Sequence, residues 1–439
     1  MKTKSLQEDK ISIITLGCSK NVVDSEHIMT HLSKHGYDVV HDKWHKGRNI
    51  VIINTCGFVE KAKEESINTI LEFAEAKNAG KIEKLYVSGC LSARYKEVLE
   101  KEIPEVDAFF GTNDVKFLLK ALKVDYRKEL LGERLLSTPK HYAYLKISEG
   151  CNRTCSFCAI PLMRGKHISK SIEEVVAEAQ ALADQGVSEI VLIAQELTYY
   201  GLDVYRKRKL PDLLYRLNDV TGIKWIRLHY AYPAQFPLEL LDAMTACEKV
   251  CKYLDMPLQH ASDKVLLSMR RNISQEEMRS LINLIREKIP DITLRTTMLV
   301  GYPGEEEEDF DMLCRFVEEM QFDRMGVFTY SHEEGTRAYV LTDNIPQSEK
   351  ERRASFLMDI QEHISLNKNL KKIGQATTVL IDKKESGFFI GRTEADSPEV
   401  DNEVLIKDKG YNFNPGDFVQ VKIIDAEAFD LHAEPLSDN

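Results

Sequence analysis

The sequence contains no long hydrophobic run. No stretch approaches the ~20 uninterrupted apolar residues that a membrane-spanning helix needs. The first residues, MKTKSLQEDKISIITLG, also lack the apolar core of a signal peptide. We therefore expect a cytoplasmic protein that does not enter a membrane.

The chain also lacks an excess of positive charge. Its 59 Lys and Arg residues stand against 70 Asp and Glu residues, which gives a formal net charge of −11. This balance argues against broad electrostatic binding to nucleic acid, although a local basic patch remains compatible with it. The 439 residues, 43% of them hydrophobic, are instead typical of a globular protein of about three domains, each with its own core.

Cysteine is present in an odd number, nine. In a long chain without secretory features the thiols stay reduced, so metal or redox chemistry is favoured over a disulfide framework. Three of these cysteines each follow a short apolar or β-branched run. The runs are ISIITLG (11–17), NIVIINT (49–55) and KLYVSG (84–89), and the cysteines are Cys18, Cys56 and Cys90.

Charged helical stretches separate these three runs, a pattern that predicts an open parallel α/β sheet with crossover helices over residues 1–125. Ligands bind at the carboxyl ends of parallel strands, so we expect Cys18, Cys56 and Cys90 to gather at one sheet edge as a ligand set. The alternative is that each is a small buried hydrophobic residue. A linker is predicted over 126–140, where the periodic pattern fades.

A second alternation of strands and helices begins at Tyr142. Six β/α units over residues 141–372 predict three-quarters of a TIM-like (β/α)8 barrel, whose chemistry lies in the loops after the strands. Residues 373–439 change to short strands with turn residues and predict a small antiparallel β-barrel. The loop after the first barrel strand carries EGCNRTCSFCAIPLMRG (149–165), with Cys151, Cys155 and Cys158 in a CxxxCxxC arrangement.

Three thiols without a fourth nearby partner do not complete the tetrahedron of a structural zinc site, so zinc is the weaker interpretation. A cubane iron–sulfur cluster has four irons, and three thiolates leave one of them open to another ligand. The CxxxCxxC motif, placed after the first strand of a predicted barrel, closely resembles that of the radical S-adenosylmethionine (SAM) enzymes. The resemblance implies that SAM binds the open iron and is cleaved to a 5′-deoxyadenosyl radical.

Other residues are candidates for contact with SAM. IAQE ends the second barrel strand with the polar residues Gln195 and Glu196, and LVGYPGE ends the fifth with Gly301 and Gly304, where the backbone could approach adenine. Phe157, between two of the cysteines, is a further candidate to pack beside the cofactor. Simple turn chemistry is the alternative for the polar and glycine residues.

Two sets of three cysteines followed by a terminal β-barrel resemble the methylthiotransferases over essentially the whole chain. The resemblance implies a methylthiotransferase domain with an auxiliary cluster, a radical SAM core and a TRAM barrel. It also implies two [4Fe-4S] clusters and two SAM molecules, one of which donates a methyl group while the other supplies the radical. If both clusters serve one substrate carbon, the two cysteine sets are expected to face a common cleft.

Several segments are similar to the branch of this family that modifies the β-carbon of an aspartate in ribosomal protein uS12, namely TLGCSKNVVDSE (15–26), RLHYAYP (227–233), YLDMPLQHASDKVLLSMRR (253–271) and YSHEEGTRAY (330–339). An independent argument agrees. Residues 375–439 hold six Lys and Arg against fourteen Asp and Glu, a net charge of −8, which repels phosphate and suits a basic protein. The alternatives are a tRNA methylthiotransferase acting on a modified adenosine, a non-enzymatic iron–sulfur or redox module, and a zinc-stabilised RNA-binding adaptor.

The resemblance also implies partners. These are uS12 or the small ribosomal subunit, and an electron donor such as flavodoxin or ferredoxin; we expect a monomer. The remaining residues of interest receive structural interpretations. Cys247 and Cys251 are predicted to share a helix face, and Cys314 to pack in a helix. His229 and His260, at strand ends, are candidates for either substrate contact or loop structure.

Overall fold

The computed structural model describes residues 9–45, 47–127 and 133–436. The chain divides into two compact units. The first comprises residues 1–138, 144–152 and 159–168, and the second comprises residues 139–143, 153–158 and 169–439. The predicted linker falls partly on residues 128–132, which lie outside the described residues, and the described part of it forms neither helix nor strand.

The first unit contains an open sheet of five parallel strands in the order β2-β1-β3-β4-β5. Its strands are β1 (Lys10–Thr15), β2 (Asp38–His41), β3 (Ile50–Thr55), β4 (Lys84–Gly89) and β5 (Ala108–Phe109). Its connecting helices are α1 (Ser19–Lys34), α2 (Glu60–Asn78), α3 (Cys90–Glu102) and α4 (Val115–Ala121). The predicted parallel sheet is confirmed, and the three predicted strands are its central ones. The two edge strands were missed because β2 carries no apolar run and β5 has two residues.

The central region forms a sheet of six strands in the order β6-β9-β10-β11-β12-β13, with parallel pairing from β9 to β13, as expected for a partial barrel. Its strands are β6 (Tyr142–Lys146), β9 (Glu189–Ile193), β10 (Trp225–Leu228), β11 (Val250–Asp255), β12 (Thr293–Val300) and β13 (Arg324–Thr329). A separate small sheet pairs β7 (Ser148–Glu149) with β8 (Ile168–Ser169).

Nine helices accompany these strands in the described part of the chain. They are α5 (Ile160–Arg164), α6 (Ile172–Asp184), α7 (Leu202–Tyr205), α8 (Leu210–Asn218), α9 (Glu239–Ala246), α10 (Asp263–Ser268), α11 (Gln275–Lys288), α12 (Glu307–Met320) and α13 (Gln347–Leu370). Ser171 and Ser274 start α6 and α11 with capping boxes, in which the serine hydroxyl and a glutamate three residues later satisfy each other's backbone N–H groups. None of the described helices is long and apolar enough to span a bilayer.

The predicted shared helix face for Cys247 and Cys251 is wrong. Helix α9 ends at Ala246, Cys247 follows as its cap residue, and Cys251 lies inside β11. The apolar spacing continues across this boundary, because Met244 and Cys247 are buried before it and Val250 and Cys251 are buried after it. Periodicity alone does not separate the end of a buried helix from the start of a buried strand.

The C-terminal strands form a closed barrel in the order β14-β15-β16-β18-β17. These strands are β14 (Ala376–Glu385), β15 (Phe388–Thr393), β16 (Glu403–Lys407), β17 (Phe418–Ala426) and β18 (Asp430–Pro435). One pairing corrects the prediction of an antiparallel barrel, because β16 and β18 are parallel. A closed ring of five strands cannot alternate direction throughout, so at least one neighbouring pair has to be parallel.

This small barrel joins the central sheet through the loop between β15 and β16, which we call the 394–402 loop. Asp396 and Ser397 in this loop are fully buried. Asp396 accepts hydrogen bonds from Arg324, the first residue of β13, at 2.5 and 3.1 Å. Ser397 reaches His229, the residue after β10, at 2.8 Å. The loop therefore inserts Asp396 and Ser397 into the core of the second unit, while Glu399 and Val400 stay exposed.

Candidate functional site

Cys18, Cys56 and Cys90 lie at three neighbouring carboxyl ends of the N-terminal parallel sheet. Cys18 precedes α1, Cys56 directly follows β3, and Cys90 is the first residue of α3 after β4. Cys18 is exposed, whereas Cys56 and Cys90 are buried. Burial raises the pKa of the Cys56 thiol, and it raises the pKa of the Cys90 thiol to about 12. The Cys18 thiol adds to the shift at Cys56, and the Cys18 and Cys56 thiols both add to the shift at Cys90, so the three side chains are near enough to interact electrostatically.

Two glycines allow these three loops to approach one another. A Cβ at Gly17, whose φ is +96°, would lie 2.7 Å from the Cβ of Cys56. A Cβ at Gly57 would lie 2.8 Å from the backbone of Leu91, next to Cys90. Any larger residue at either position would push the loops apart. The structure therefore brings together the cysteines that the repeated strand–cysteine pattern assigned to one edge.

A buried arginine adjoins this edge. Arg164, the last residue of α5, donates a 2.5 Å hydrogen bond to Oδ1 of Asn21, the same oxygen that accepts from the Cys90 thiol at 3.9 Å. Its Nη1 lies 3.1 Å from Asp24 and 3.0 Å from Glu149. Cys90 also packs against Ala159 and Met163, on either side of the first turn of α5.

Lys146 completes the charged group by pairing with Asp24 and with Glu149. Burial alone would raise the pKa of the Glu149 carboxyl, but the adjacent Lys146 and Arg164 cations outweigh burial and lower that pKa to about 2. Two cations and two carboxylates thus form one ionised network in the first unit. Spacing patterns gave no indication of it, because its members come from α1, β6, β7 and α5.

The cysteines of the CxxxCxxC motif are half-buried and make different contacts. The Cys151 N–H donates to the carbonyl of Gly165 at 3.1 Å. The Cys158 N–H donates to the carbonyl of Cys155 at 3.2 Å. The Cys155 sulfur lies 3.4 Å from Nη1 of Arg271 and 3.8 Å from the hydroxyl of Tyr232.

A stack of cations and rings adjoins Cys155 in the second unit. The Arg153 guanidinium lies between the rings of Tyr199 and Tyr232, with its carbon 3.9 and 3.8 Å from their centroids. Arg271 covers the Tyr232 ring at 4.2 Å. Guanidinium groups bind ring faces through cation–π attraction, so the stack fixes both arginines beside the sulfur. Sequence analysis missed these four residues, although Arg153 lies within the cysteine motif itself.

The predicted SAM-contacting residues occupy varied surroundings. Glu196 is buried, accepts from Arg153 at 3.0 and 3.2 Å, and accepts from Thr198 at 2.6 and 2.7 Å. Gln195, at the carboxyl end of β9, and Phe157 are half-buried, and Phe157 packs against the cluster that includes Met269 and Tyr302.

The two predicted glycines also differ. A Cβ at Gly301 would lie 2.3 Å from Cγ of Lys350, so this glycine leaves room for the buried lysine stem. A Cβ at Gly304 would meet nothing within 4 Å. SAM contact by these five residues stays a prediction.

Both candidate histidines are buried and hydrogen-bonded within the protein. The His229 imidazole bonds the Ser397 hydroxyl at 2.8 Å and stacks on the Tyr253 ring. His260 is fully buried and accepts from the Ser262 N–H at 3.0 Å, and burial lowers its pKa to about 3. Cys247, Cys251 and Cys314 are buried, as the packing interpretation expects.

Among residues 9–45, 47–127 and 133–436, no group of three or more His, Cys, Asp or Glu side chains is arranged to hold a metal ion. A cubane cluster differs from a single ion, because each thiolate binds a separate iron at a separate corner. Both cysteine sets fit such a group: the thiols of the first come from three neighbouring loops, those of the second lie in one segment between β7 and α5, and a buried guanidinium lies beside each set to balance thiolate charge. These are Arg164 for the first set and Arg271 for the second.

Models of known protein families match three successive segments of the chain. A model of an uncharacterized protein family, UPF0004, matches residues 10–111, the radical SAM superfamily model matches residues 145–317, and a TRAM domain model matches residues 373–436. The solved radical S-adenosylmethionine methyltransferase TsrM from Kitasatospora setae shares the fold with a TM-score of 0.53 and 14% identity, over 73% of this chain and 72% of that one. Fold and motif together define a radical SAM enzyme, which uses iron–sulfur chemistry and SAM.

Curated relatives narrow this class. The chain is 57% identical to a protein of Cytophaga hutchinsonii named ribosomal protein uS12 methylthiotransferase RimO, over 99% of both chains. It is also 57% identical to the protein of that name from Flavobacterium psychrophilum, over 99% of this chain and 100% of the relative. The chain therefore belongs to the RimO family of radical SAM methylthiotransferases.

Proposed function

We propose that this enzyme methylthiolates the β-carbon of an aspartate in ribosomal protein uS12, using two [4Fe-4S] clusters and two SAM molecules. The observation that carries the proposal is the presence of two separate sets of three cysteines, each beside a buried arginine, in a chain whose relatives are named for this substrate. Because the proposed substrate is a ribosomal protein, the proposal also locates the enzyme in the cytoplasm. It further includes a flavodoxin- or ferredoxin-type protein as electron donor and an enzyme that acts as a monomer.

Each set has its own part in the proposal. Cys151, Cys155 and Cys158 would hold the cluster that binds SAM, and Cys18, Cys56 and Cys90 would hold the auxiliary cluster associated with sulfur. When bound, these cofactors supply the one-electron chemistry and the sulfur and methyl groups that are transferred. The chain's own residues would position them: Arg271 contacts the Cys155 sulfur, and Arg153 pairs with Glu196 and holds it in place after β9.

We keep the domain boundaries of the sequence analysis within this proposal. Residues 1–125 would carry the auxiliary cluster, 126–140 the linker, 141–372 the radical SAM core and 373–439 the TRAM barrel. The acidic terminal barrel supports a basic protein substrate over RNA, because acidic groups repel phosphate.

The test is mass spectrometry of uS12 from small ribosomal subunits of the host, with and without this gene. We expect the aspartate peptide to gain about 46 Da, the mass of a methylthio group replacing hydrogen, in the presence of the gene only. Complementation with Cys18→Ala should leave uS12 unmodified, whereas Cys247→Ala, which removes a buried cysteine outside both sets, should restore the modification.

Iron analysis of anaerobically reconstituted protein is the second readout. About eight irons per chain supports two cubane clusters, and about four contradicts the second one. An unchanged uS12 peptide, together with loss of a methylthio group from a tRNA adenosine in the gene deletion, would overturn the substrate assignment and leave the radical chemistry intact.

A further inference from the structure

We propose that Arg164 is the positioning residue of the auxiliary cysteine set, and that its buried charge sets the reduction potential of the cluster held there. The inference rests on the proposed function, because it requires a cluster on Cys18, Cys56 and Cys90. It concerns a residue outside the cysteines, which neither the spacing of the thiols nor the CxxxCxxC motif singles out.

The first argument is the fixed position of the charge. The Arg164 side chain is 2% exposed, and it is held by two carboxylates and an amide oxygen, those of Asp24, Glu149 and Asn21. A guanidinium with this many partners has little freedom to move away from the thiols. Its charge therefore acts on the Cys90 side of the cysteine set from one defined place.

The second argument is the shared acceptor. Oδ1 of Asn21 accepts from Arg164 at 2.5 Å and from the Cys90 thiol at 3.9 Å, so both donors converge on one atom. Asn21 also donates to the carbonyls of Leu16 and Thr55, each two residues or fewer from Cys18 or Cys56. Arg164 thus contacts the residue that ties the three cysteine loops together.

The third argument is a link to the other cysteine set within the first unit. Gly165, directly after Arg164, accepts the Cys151 N–H at 3.1 Å, and Cys90 packs on Ala159 and Met163 of the same short segment. The segment 159–165 thus contacts a cysteine of each set: its side chains pack on Cys90, and its backbone accepts a hydrogen bond from Cys151. Arg164 is the charged member of that segment.

The electrostatic consequence has a definite sign. Adding an electron to a cluster makes it more negative, and a nearby cation stabilises the more negative state. Removing the Arg164 charge should therefore disfavour reduction and lower the potential. Removing the opposing charge of Asp24 should favour reduction and raise it.

The experiment uses the full chain with Cys151, Cys155 and Cys158 all replaced by Ala, so that only the auxiliary cluster remains. After anaerobic reconstitution, this parent should bind about four irons. EPR-monitored redox titration then compares the parent with Arg164→Gln, Arg164→Lys and Asp24→Asn. We expect Arg164→Gln to lower the equilibrium constant for one-electron reduction at least tenfold, about 59 mV. We expect Asp24→Asn to shift it upward, and Arg164→Lys to recover part of the wild-type value.

Arg134→Gln is the matched control. Arg134 is also buried in the first unit, where it donates to the carbonyl of Tyr144 and pairs with Glu26 at 3.5 Å. It should cost stability without moving the potential. A shift in Arg134→Gln equal to that in Arg164→Gln would show a general structural effect and overturn the inference.

The remaining outcomes are also decisive. An unchanged potential in Arg164→Gln protein that retains its iron overturns the inference and leaves the proposed function standing. If that variant does not retain iron, the sign of the Asp24→Asn shift decides: an upward shift supports the inference, and no shift overturns it. A parent that binds no iron refutes the second cluster of the proposed function, and the inference falls with it.

Discussion

Buried guanidinium groups lie beside both cysteine sets. Arg153 pairs with Glu196 while two tyrosine rings cover its faces, and Arg164 is held by the carboxylates of Asp24 and Glu149. A buried arginine persists only where its charge is matched, and both are matched here by residues distant in sequence. Arg164 thereby places a fixed positive charge near Cys90, as Arg271 does beside Cys155.

Sequence reasoning identified the cysteines but not these partners. The first cysteine set is recognisable in the sequence because each of its thiols follows a predicted strand. The second is recognisable because Cys151, Cys155 and Cys158 lie within eight residues of one another. The contact of Arg153 with Tyr232 joins positions about 80 residues apart, and it depends on how β6 and β10 share one sheet. No local pattern records such a pairing, so polar residues at strand ends were identified while their partners were not.

His260 carries a prediction about acid stability. Its pKa in the folded protein is about 3 because it is fully buried, whereas an exposed histidine has a pKa near ~6.5. Between these values the unfolded chain binds the extra proton, so stability falls as pH decreases, by up to about 1.4 kcal/mol per pH unit. We expect His260→Asn to flatten the decline of the urea midpoint between pH 6.5 and 4.5.

The control for lost side-chain volume is Leu258→Ala, which removes a buried aliphatic group two residues away. This variant should be less stable at every pH but keep the wild-type slope, because it removes no titrating group. Equal slopes in His260→Asn and wild type would contradict the assignment of acid sensitivity to this imidazole.

The most informative element is the 394–402 loop of the TRAM barrel. Asp396 pairs with Arg324, Asp401 accepts from Arg295 at 3.2 Å and from Tyr253 at 2.7 Å, and Ser397 meets His229. All four contacts bury polar groups against the central strands. The loop therefore completes the core of the second unit, and the TRAM barrel is part of that core rather than an appended module.

The sequence was enough to predict the strands of the terminal barrel, but not the packing of the 394–402 loop on the central sheet. Alternating apolar residues mark the strands of the terminal barrel, and turn residues separate them. The sequence EADSPEVDN, in contrast, is typical of an exposed acidic turn. Its burial follows from Arg324 and Arg295, which neutralise Asp396 and Asp401, and from Arg227, which donates to the Glu394 carbonyl. A local pattern does not reveal cations that lie so far away in the sequence.

Substitution of Asp396 tests this account of the loop. Asp396→Asn leaves the Arg324 charge buried beside a neutral amide, and breaking a buried pair typically costs about 3–5 kcal/mol. We expect a clear loss of thermal stability for the full chain. Glu434→Gln, which breaks the half-exposed pair with Lys409, should cost less than about 1 kcal/mol. Similar losses in the two variants would mean that the loop adds little to the core.

Part of the negative charge of the terminal barrel is paired with cations inside the protein. Of the fourteen acidic residues counted from 375 to 439, Asp382, Asp396 and Asp401 pair inward with His141, Arg324 and Arg295. These three carboxylates attach the barrel to the central sheet, so their charges do not attract a binding partner. The electrostatic argument for a basic substrate therefore rests on the acids that remain exposed, among them Glu385, Asp425 and Glu427.

Replacing these three exposed acids by Lys tests that argument directly. If uS12 is steered by the acidic barrel, the triple variant should associate with it about 3- to 10-fold more slowly at low salt, because opposite charges raise encounter rates. The difference should shrink as salt is added, since the screening length falls from about 10 Å at 0.1 M to about 3 Å at 1 M. Stopped-flow association of labelled uS12 with the full-length enzyme measures both effects.

A matched variant separates local steering from net charge. Replacing Glu64, Glu72 and Glu75 by Lys changes the net charge by the same amount, on exposed positions of α2 in the first unit. We expect this variant to slow association far less, because its acids do not belong to the barrel. Equal slowing by both triple variants would mean that uS12 responds to the overall charge of −11 and that the TRAM barrel has no special part in recognition. The case for a protein substrate would then rest on the family relationship alone.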